Sequence, residues 1–193
     1  MEWSDVLAAA GFRNYAIHNG GLEFHHLSVD DTLALTNVMR KNQRHLDDFL
    51  PVFGRGETRN VPTIQRWIRD MLAEQFPFQH FVFTWRGKLC GLASTLPITD
   101  DPRDIQLRYM VFDGFTGKGI ATRIAKTLEL YGFYVWGFHR IFIEMDSHNR
   151  ASMAVAQKLD YQFNGTKDYD LVGTKGTGFW FSYVKHRPTH IDQ

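Results

Sequence analysis

Apolar and polar positions along the chain repeat with two different periods, and each period marks a different kind of element. RNYAIHNGGLEFHHLSV reads as two short strands around Asn19-Gly20, a pair suited to the positive φ angles of a tight hairpin. Ser28 with Asp31 then forms a variant capping pair, which predicts a helix through about Arg40. A second helical piece, Gln43 to Leu50, stops at Pro51. Asn60 and Pro62 mark a further start, and Ile64, Trp67, Ile68, Met71 and Leu72 follow at i, i+3, i+4, i+7 and i+8. HFVFTWRGKLCGLASTL gives two strands joined through Arg86-Gly87-Lys88, TDDPRD is a polar turn, and IQLRYMVF is the next strand.

From Ile120 the period lengthens again, with Ile124, Leu128 and Tyr131 on one face and Gly137 placed to stop the helix. HRIFIEM is a strand, Asn149 is an N-cap for RASMAVAQKLD, and YQF is a short strand. A glycine-rich loop is expected from Asn164 to Gly178, before a last strand, FWFSYVK. Hairpins followed by strand, helix, strand, helix, strand predict a mixed α/β sheet flanked by helices. At 193 residues, with no fixed-period repeat and no low-complexity tract, one domain spanning 1–193 is the expectation.

Composition narrows the chemistry. Lys plus Arg is 22 and Asp plus Glu is 21, so a net charge of +1 gives no global attraction to nucleic acid or an anionic membrane. Any anion must be met locally. The basic residues form no aromatic-interleaved stripe, and no 18-residue apolar window appears. The acidic N-terminal stretch MEWSDVLAAAGF does not read as a secretory signal, and the single Cys90 fits a reducing compartment; a soluble cytoplasmic protein is expected. The nine histidines include no i, i+4 pair with a supporting carboxylate, so no metal is assigned.

The local feature that stands out is FTGKGIATR, two glycines and a lysine immediately before an amphipathic helix. The first N–H groups of a helix are unsatisfied and carry partial positive charge, which suits phosphate, and Gly117 and Gly119 let the backbone close around a ligand. Lys118, Arg123 and Lys126 add charge nearby. Thr122 stands where a dinucleotide fingerprint needs a third small residue, and the spacing of a nucleotide P-loop is not met. A tight turn with a purely structural helix start fits these residues as well.

Thr116-Gly117-Lys118-Gly119-Ile120-Ala121 resembles the Gln/Arg-x-x-Gly-x-Gly/Ala pyrophosphate loop of the GNAT acetyltransferase superfamily, with Thr116 as the departure. LEFHHLSVDDT, RHLDDFLP, LRYMVF and NRASMAVAQKLDYQFNG resemble the RimJ/RimL type in order and spacing, over about residues 22–185. The resemblance implies a GNAT fold whose mostly antiparallel sheet is splayed between its fourth and fifth strands. It implies acetyl-coenzyme A as cosubstrate, with its pantetheine arm along Met110, Val111 and Phe112 and its pyrophosphate on Thr116 to Thr122. An amide near Val111 would hold the thioester oxygen as it gains charge.

The resemblance further implies acetyl transfer to a primary amine, first a protein or peptide N-terminal α-amine. Many RimL-like enzymes carry Glu at the position of Gln106, which cannot accept a proton. That favours an acceptor of low pKa, or a base elsewhere. Glu144, His45 and His80 are candidate bases, each with a surface or packing role as the alternative. Ser152 is expected near the departing sulfur, or as a first-turn serine of its helix. Ala156 stands where other GNAT enzymes place a tyrosine, and Asn149 is expected to bind the pantetheine arm, cap its helix, or both. A small-molecule amine, such as an antibiotic or aminoacyl compound, is the alternative acceptor; a non-catalytic acyl-coenzyme-A-binding module is the alternative class. Either a monomer or a homodimer fits.

Overall fold

The computed structural model describes residues 21–42, 59–75, 77–168 and 179–188. The helical piece expected at Gln43 to Leu50, with His45, and the strand before Asn19-Gly20 lie outside them. The chain forms β1 (Leu22–His26), a single 3-10 turn (Val29–Asp31), α1 (Thr32–Lys41), α2 (Val61–Leu72), β2 (Gln79–Trp85), β3 (Lys88–Pro97) and β4 (Asp104–Val111). It continues with α3 (Ile120–Tyr134), β5 (Arg140–Asp146), α4 (Arg150–Lys158), β6 (Gln162–Asp168) and β7 (Phe179–His186).

The element boundaries follow local chemistry. Ser28 and Asp31 make a full capping box, each side chain satisfying the other's backbone amide region, with Asp31 Oδ2 accepting from Ser28 N at 2.9 Å. Asn60 caps α2 by accepting from Thr63 N at 3.0 Å, and Pro62 occupies the first turn, where its missing N–H costs nothing. Between β2 and β3, Arg86 and Gly87 both adopt left-handed backbone (φ 51 and 72), the two-residue turn whose twist matches a hairpin. One expectation is corrected at the other end of the chain. The segment expected to loop from Asn164 is strand as far as Asp168, because β6 pairs with β7 through Asp168↔Phe179 after an irregularity at Phe163/Gly165.

The seven strands lie in the order β1-β2-β3-β4-β5-β7-β6, and every neighbouring pair is antiparallel except β4 and β5. Parallel neighbours need a crossover, and α3 supplies it. One sheet face packs on α3 and α4 through Phe81, Phe83, Leu107, Ile124, Leu128, Ile141 and Val155. The other packs on α1 and α2 through Val82, Leu92, Phe112, Leu35, Met39, Ile64 and Ile68. Close approach has set one glycine in the middle: a Cβ on Gly91 would lie 2.4 Å from the Met110 carbonyl oxygen of the next strand and 3.0 Å from Ile124.

The parallel pair is short. It registers only Asp104↔Arg140, Ile105↔Ile141 and Gln106↔Phe142, while β4 stays paired with β3 as far as Val111 and β5 with β7 as far as Asp146. Beyond Gln106 the sheet is therefore parted. At the joined end Arg140 forks onto the buried Asp104 carboxylate, Nε donating to Oδ1 at 2.9 Å and Nη2 to Oδ2, and Thr99 donates a further bond at 3.0 Å. Bonding to Arg140 holds the Asp104 carboxyl below the usual carboxylate range.

Arg140→Ala leaves that carboxylate buried without its ion partner. The expected loss is about 1.5–3 kcal/mol, toward the lower end because Arg140 is 41% exposed. The folded pKa is depressed, so the stabilisation is present above the unfolded value of about 3.9 and is lost as pH falls through the folded value. Urea denaturation across pH 2–7 should show wild type and Arg140→Ala converging in acid; a pH-independent gap would contradict this.

Candidate functional site

Where β4 leaves β5, its backbone turns toward the gap. Phe112 N donates to Cys90 O at 2.9 Å, so alternation along an antiparallel ladder directs the Phe112 and Met110 amides to β3 and those of Val111 and Tyr109 to the open side. The Phe112 carbonyl accepts from Phe115 N at 3.1 Å, and its ring is buried under α1 and α2. Of the three strand residues expected along a pantetheine arm, Val111 faces the gap, whereas Met110 and Phe112 spend their backbone bonds within the protein.

The loop that follows closes the mouth of the gap. Gly114, Gly117 and Gly119 have φ of 84, 73 and 73, and a Cβ at any of them would meet no protein atom within 4 Å. The glycines are thus needed for backbone conformation, and the space beside them is open. Gly119 is the N-cap of α3 and offers no side-chain cap, so the amides of the first turn, Ile120 to Thr122, have none of the usual capping oxygens. The cations expected beside this turn are directed elsewhere. Lys118 Nζ donates to Gly114 O at 2.6 Å, Arg123 lies over the Trp85 ring at 4.9 Å, and Lys126 Nζ bonds Glu129 Oε1 at 2.7 Å. An anion at Thr116 to Thr122 would be met first by backbone dipoles. Alongside, Thr122, Arg123, Lys126, Lys158, Asp160 and Lys185 border a cleft of about 360 Å³ rich in cations.

The sheet divides the remaining candidates between its faces. On the α3–α4 face, Ser152 stands in the first turn of α4, where its amide donates to the capping Asn149 Oδ1 at 3.1 Å. Its hydroxyl shares a 2.9 Å hydrogen bond with the Tyr109 hydroxyl, which reaches it from β4. Burial pushes the Tyr109 phenol up to about 12, with the Ser152 bond opposing that rise. Sequence patterning gave no sign of Tyr109, since an aromatic in a strand reads as core.

On the α1–α2 face, Glu144 extends from β5 and pairs with Lys167 of β6 at 2.5 Å. Gln106 is buried, and its Oε1 accepts from Arg108 Nε at 3.1 Å, leaving the amide N–H groups as the available end. His80 has both ring nitrogens engaged, Nδ1 with Ser94 at 2.8 Å and Nε2 with the Glu74 carboxylate at 2.8 Å. Neither nitrogen is left open to a ligand in this arrangement. Among the described residues no group of three His, Cys, Asp or Glu side chains is arranged to hold a metal, and no helix is long and apolar enough to cross a membrane.

A sheet parted between two parallel strands, with an uncapped helix start at the mouth of the gap, defines an α/β domain of the acyltransferase class. Residues 22–162 match the Acetyltransferase (GNAT) domain, and the chain belongs to that family. Spermidine N(1)-acetyltransferase of Escherichia coli strain K12 is 28% identical over 87 residues, 45% of this chain. The match spans about half (47%) of that relative's length. Similar solved structures include ribosomal-protein-S5-alanine acetyltransferase from Vibrio fischeri, with a TM-score of 0.76 at 18% identity over 88% of this chain and 94% of that one. The ribosomal L7/L12 α-N-protein acetyltransferase RimL in complex with coenzyme A gives 0.78 at 16% identity over 89% and 97%. The microcin C7 self-immunity acetyltransferase MccE in complex with acetyl-CoA and AMP gives 0.75 at 17% over 87% and 93%. At these identities the likeness is one of fold.

Ser152→Ala leaves the half-buried Tyr109 phenol without its partner and should cost about 1–3 kcal/mol, more than Tyr109→Phe, which leaves only the Ser152 hydroxyl, a group that water or a helix carbonyl can satisfy. Because the Tyr109 pKa is raised, its contribution is intact below the unfolded value near 10 and is lost as pH rises toward about 12. Thermal denaturation between pH 8 and 12 should show a component of alkaline destabilisation in the wild type that Tyr109→Phe lacks.

Proposed function

We propose that the protein transfers the acetyl group of acetyl-coenzyme A to a primary amine, and that the acceptor is a protein or peptide N-terminal α-amine. The observation that carries this reading is the gap beyond Gln106, opening beside a helix N-terminus with no side-chain cap. When bound, acetyl-coenzyme A supplies an activated acyl group on a thiol leaving group. The glycine cradle fits a diphosphate because Gly114, Gly117 and Gly119 leave free space along backbone that already holds the required conformation. Thr116 to Thr122 would hold that diphosphate, and Lys158 at the edge of the neighbouring cleft would face the charged nucleotide end, whereas Lys185 there is already bonded to Glu129 and the Leu159 carbonyl.

Each face of the sheet would then handle one half of the exchange. The Val111 amide, directed into the gap, can donate to an oxygen that gains negative charge. Ser152 can donate a hydrogen bond to the departing sulfur, with Tyr109 fixing its hydroxyl, while Asn149 holds the turn that carries Ser152. On the acceptor face Glu144 would receive the proton, directly or through water. His45, outside the described residues, is the second candidate base.

Gln106 decides which amine suits the site. An α-amine titrates near about 7.7–8.0, whereas an alkyl amine near about 10.4 begins about 4–5 kcal/mol from its neutral form at pH 7. A site with an amide in the family's usual carboxylate position favours the former. The spermidine acetyltransferase relative supports the second reading, a small-molecule amine acceptor.

Calorimetry with coenzyme A, and release of its free thiol from acetyl-coenzyme A against peptides, polyamines and aminoacyl compounds, test the proposal. Micromolar binding with release on N-terminal peptides is expected; binding with no release on any acceptor would leave only a binding module. Ser152→Ala should lower kcat by about 10- to 100-fold with little change in coenzyme A affinity. Glu144→Gln or His45→Ala should alter the rise of kcat/KM with pH, and unaltered profiles for both would remove them as bases.

A further inference from the structure

The two lips of the opening carry opposite charges on one face. Arg108 stands on β4 two residues past the last β4–β5 pair, and extending that register by two sets it across from Glu144 of β5. Arg108 is exposed, although Gln106 and Leu107 before it are buried, and it shares the α1–α2 face with Gln106. Its Nε donates to Gln106 Oε1 at 3.1 Å. It makes no other hydrogen bond or ion pair among the described residues, so its two Nη groups keep their donors for a ligand. Glu144, by contrast, is partly neutralised by Lys167.

A guanidinium used at Nε by the protein presents its end, two parallel N–H groups, which is the geometry that receives a carboxylate through two bonds. The contact to Gln106 also fixes the plane of that end, so little order remains to be imposed on binding. We infer that Arg108 determines acceptor specificity by holding a carboxylate of the acceptor while its amine lies toward Glu144. The preferred acceptors are then amines that carry a nearby carboxylate, such as a peptide beginning with Asp, or a free amino acid. A polyamine, with cations only, meets Arg108 unfavourably. This inference rests on the transfer reading for its reaction, though not for its binding.

Two matched pairs test it: an Asp-initial peptide against its Asn counterpart, and free alanine against alaninamide. The first pair reads a side-chain carboxylate and the second an α-carboxylate. In at least one pair the wild type should favour the carboxylate form by about tenfold in kcat/KM, the scale of a hydrogen-bonded charge contact. Arg108→Ala should bring that ratio near one, and Arg108→Lys should restore it only in part because the fork is lost. Coenzyme A affinity by calorimetry, unchanged in both variants, verifies the fold. Equal rates within both pairs, a preference that survives Arg108→Ala, or a preference for spermidine or O-phosphoethanolamine over every carboxylate acceptor would overturn the inference. Calorimetric binding of the same pairs to coenzyme-A-loaded protein separates the two proposals: Arg108-dependent binding without thiol release sinks the transfer reading alone, and release without Arg108 dependence sinks this one alone.

Discussion

The site depends on how little of β4 is joined to β5. Three residue pairs of parallel ladder are a weak connection, and here they are reinforced by a buried carboxylate forked onto Arg140. Charge-assisted bonds of this kind are each worth more than a neutral ladder bond, so the joined end is held firmly while the rest of the interface is left unmade. Each strand is secured from its far side, β4 by β3 and β5 by β7, so neither needs the other beyond Gln106. The backbone groups facing the gap are then available to a ligand at no cost to the sheet.

The open end has its own spacer. Tyr109 reaches from β4 to Ser152 on α4, the helix that packs with β5, and their hydroxyls meet at 2.9 Å. One ion pair thus sets where the strands join, and one hydroxyl pair ties the wall of β4 to the helix beside β5. At the mouth, α3 begins without a cap because Gly119 takes the left-handed conformation and brings no side-chain oxygen. Its neighbouring cations are spent on a carbonyl, a ring and a buried glutamate, so the polarity of the mouth comes mainly from oriented peptide groups.

Features written in local chemistry were legible in the sequence. Ser28 with Asp31, Asn60 with Pro62, and Asn149 each named a helix start that the structure realises as a cap. The glycine turn before Ile120 pointed to an anion site or a structural helix start, and the family resemblance alone implied the parted sheet. What the sequence withheld is set by residues far apart along the chain. β7 inserts between β5 and β6, and β6 continues to Asp168 through residues that are almost all exposed, because its stability comes from pairing along an edge and not from a buried face. Tyr109 and Ser152 are joined by tertiary placement alone. Lys167 and Glu144 likewise meet only because two strands register across β7.

Gln106 shows how one substitution can redistribute the chemistry of a site. A carboxylate there would be drawn into an ion pair with Arg108 and would occupy the guanidinium as well as accept protons. The neutral amide takes only one donor, at Nε, and leaves the end of the guanidinium for something else. The amide at this position thus accounts for two things at once, the lack of a carboxylate base there and the open end of the Arg108 guanidinium. The remaining carboxylate of the face, Glu144, stands on the other lip and is already matched by Lys167, so a bound carboxylate near Arg108 would meet less repulsion than the sign of Glu144 suggests. Separation of charge across a gap, with the positive lip on β4 and the negative lip on β5, orients a zwitterion in one sense only, amine toward β5. A dication has no such preferred direction, and with Arg108 in the role proposed for it that difference would separate a free amino acid or an Asp-initial peptide from a polyamine.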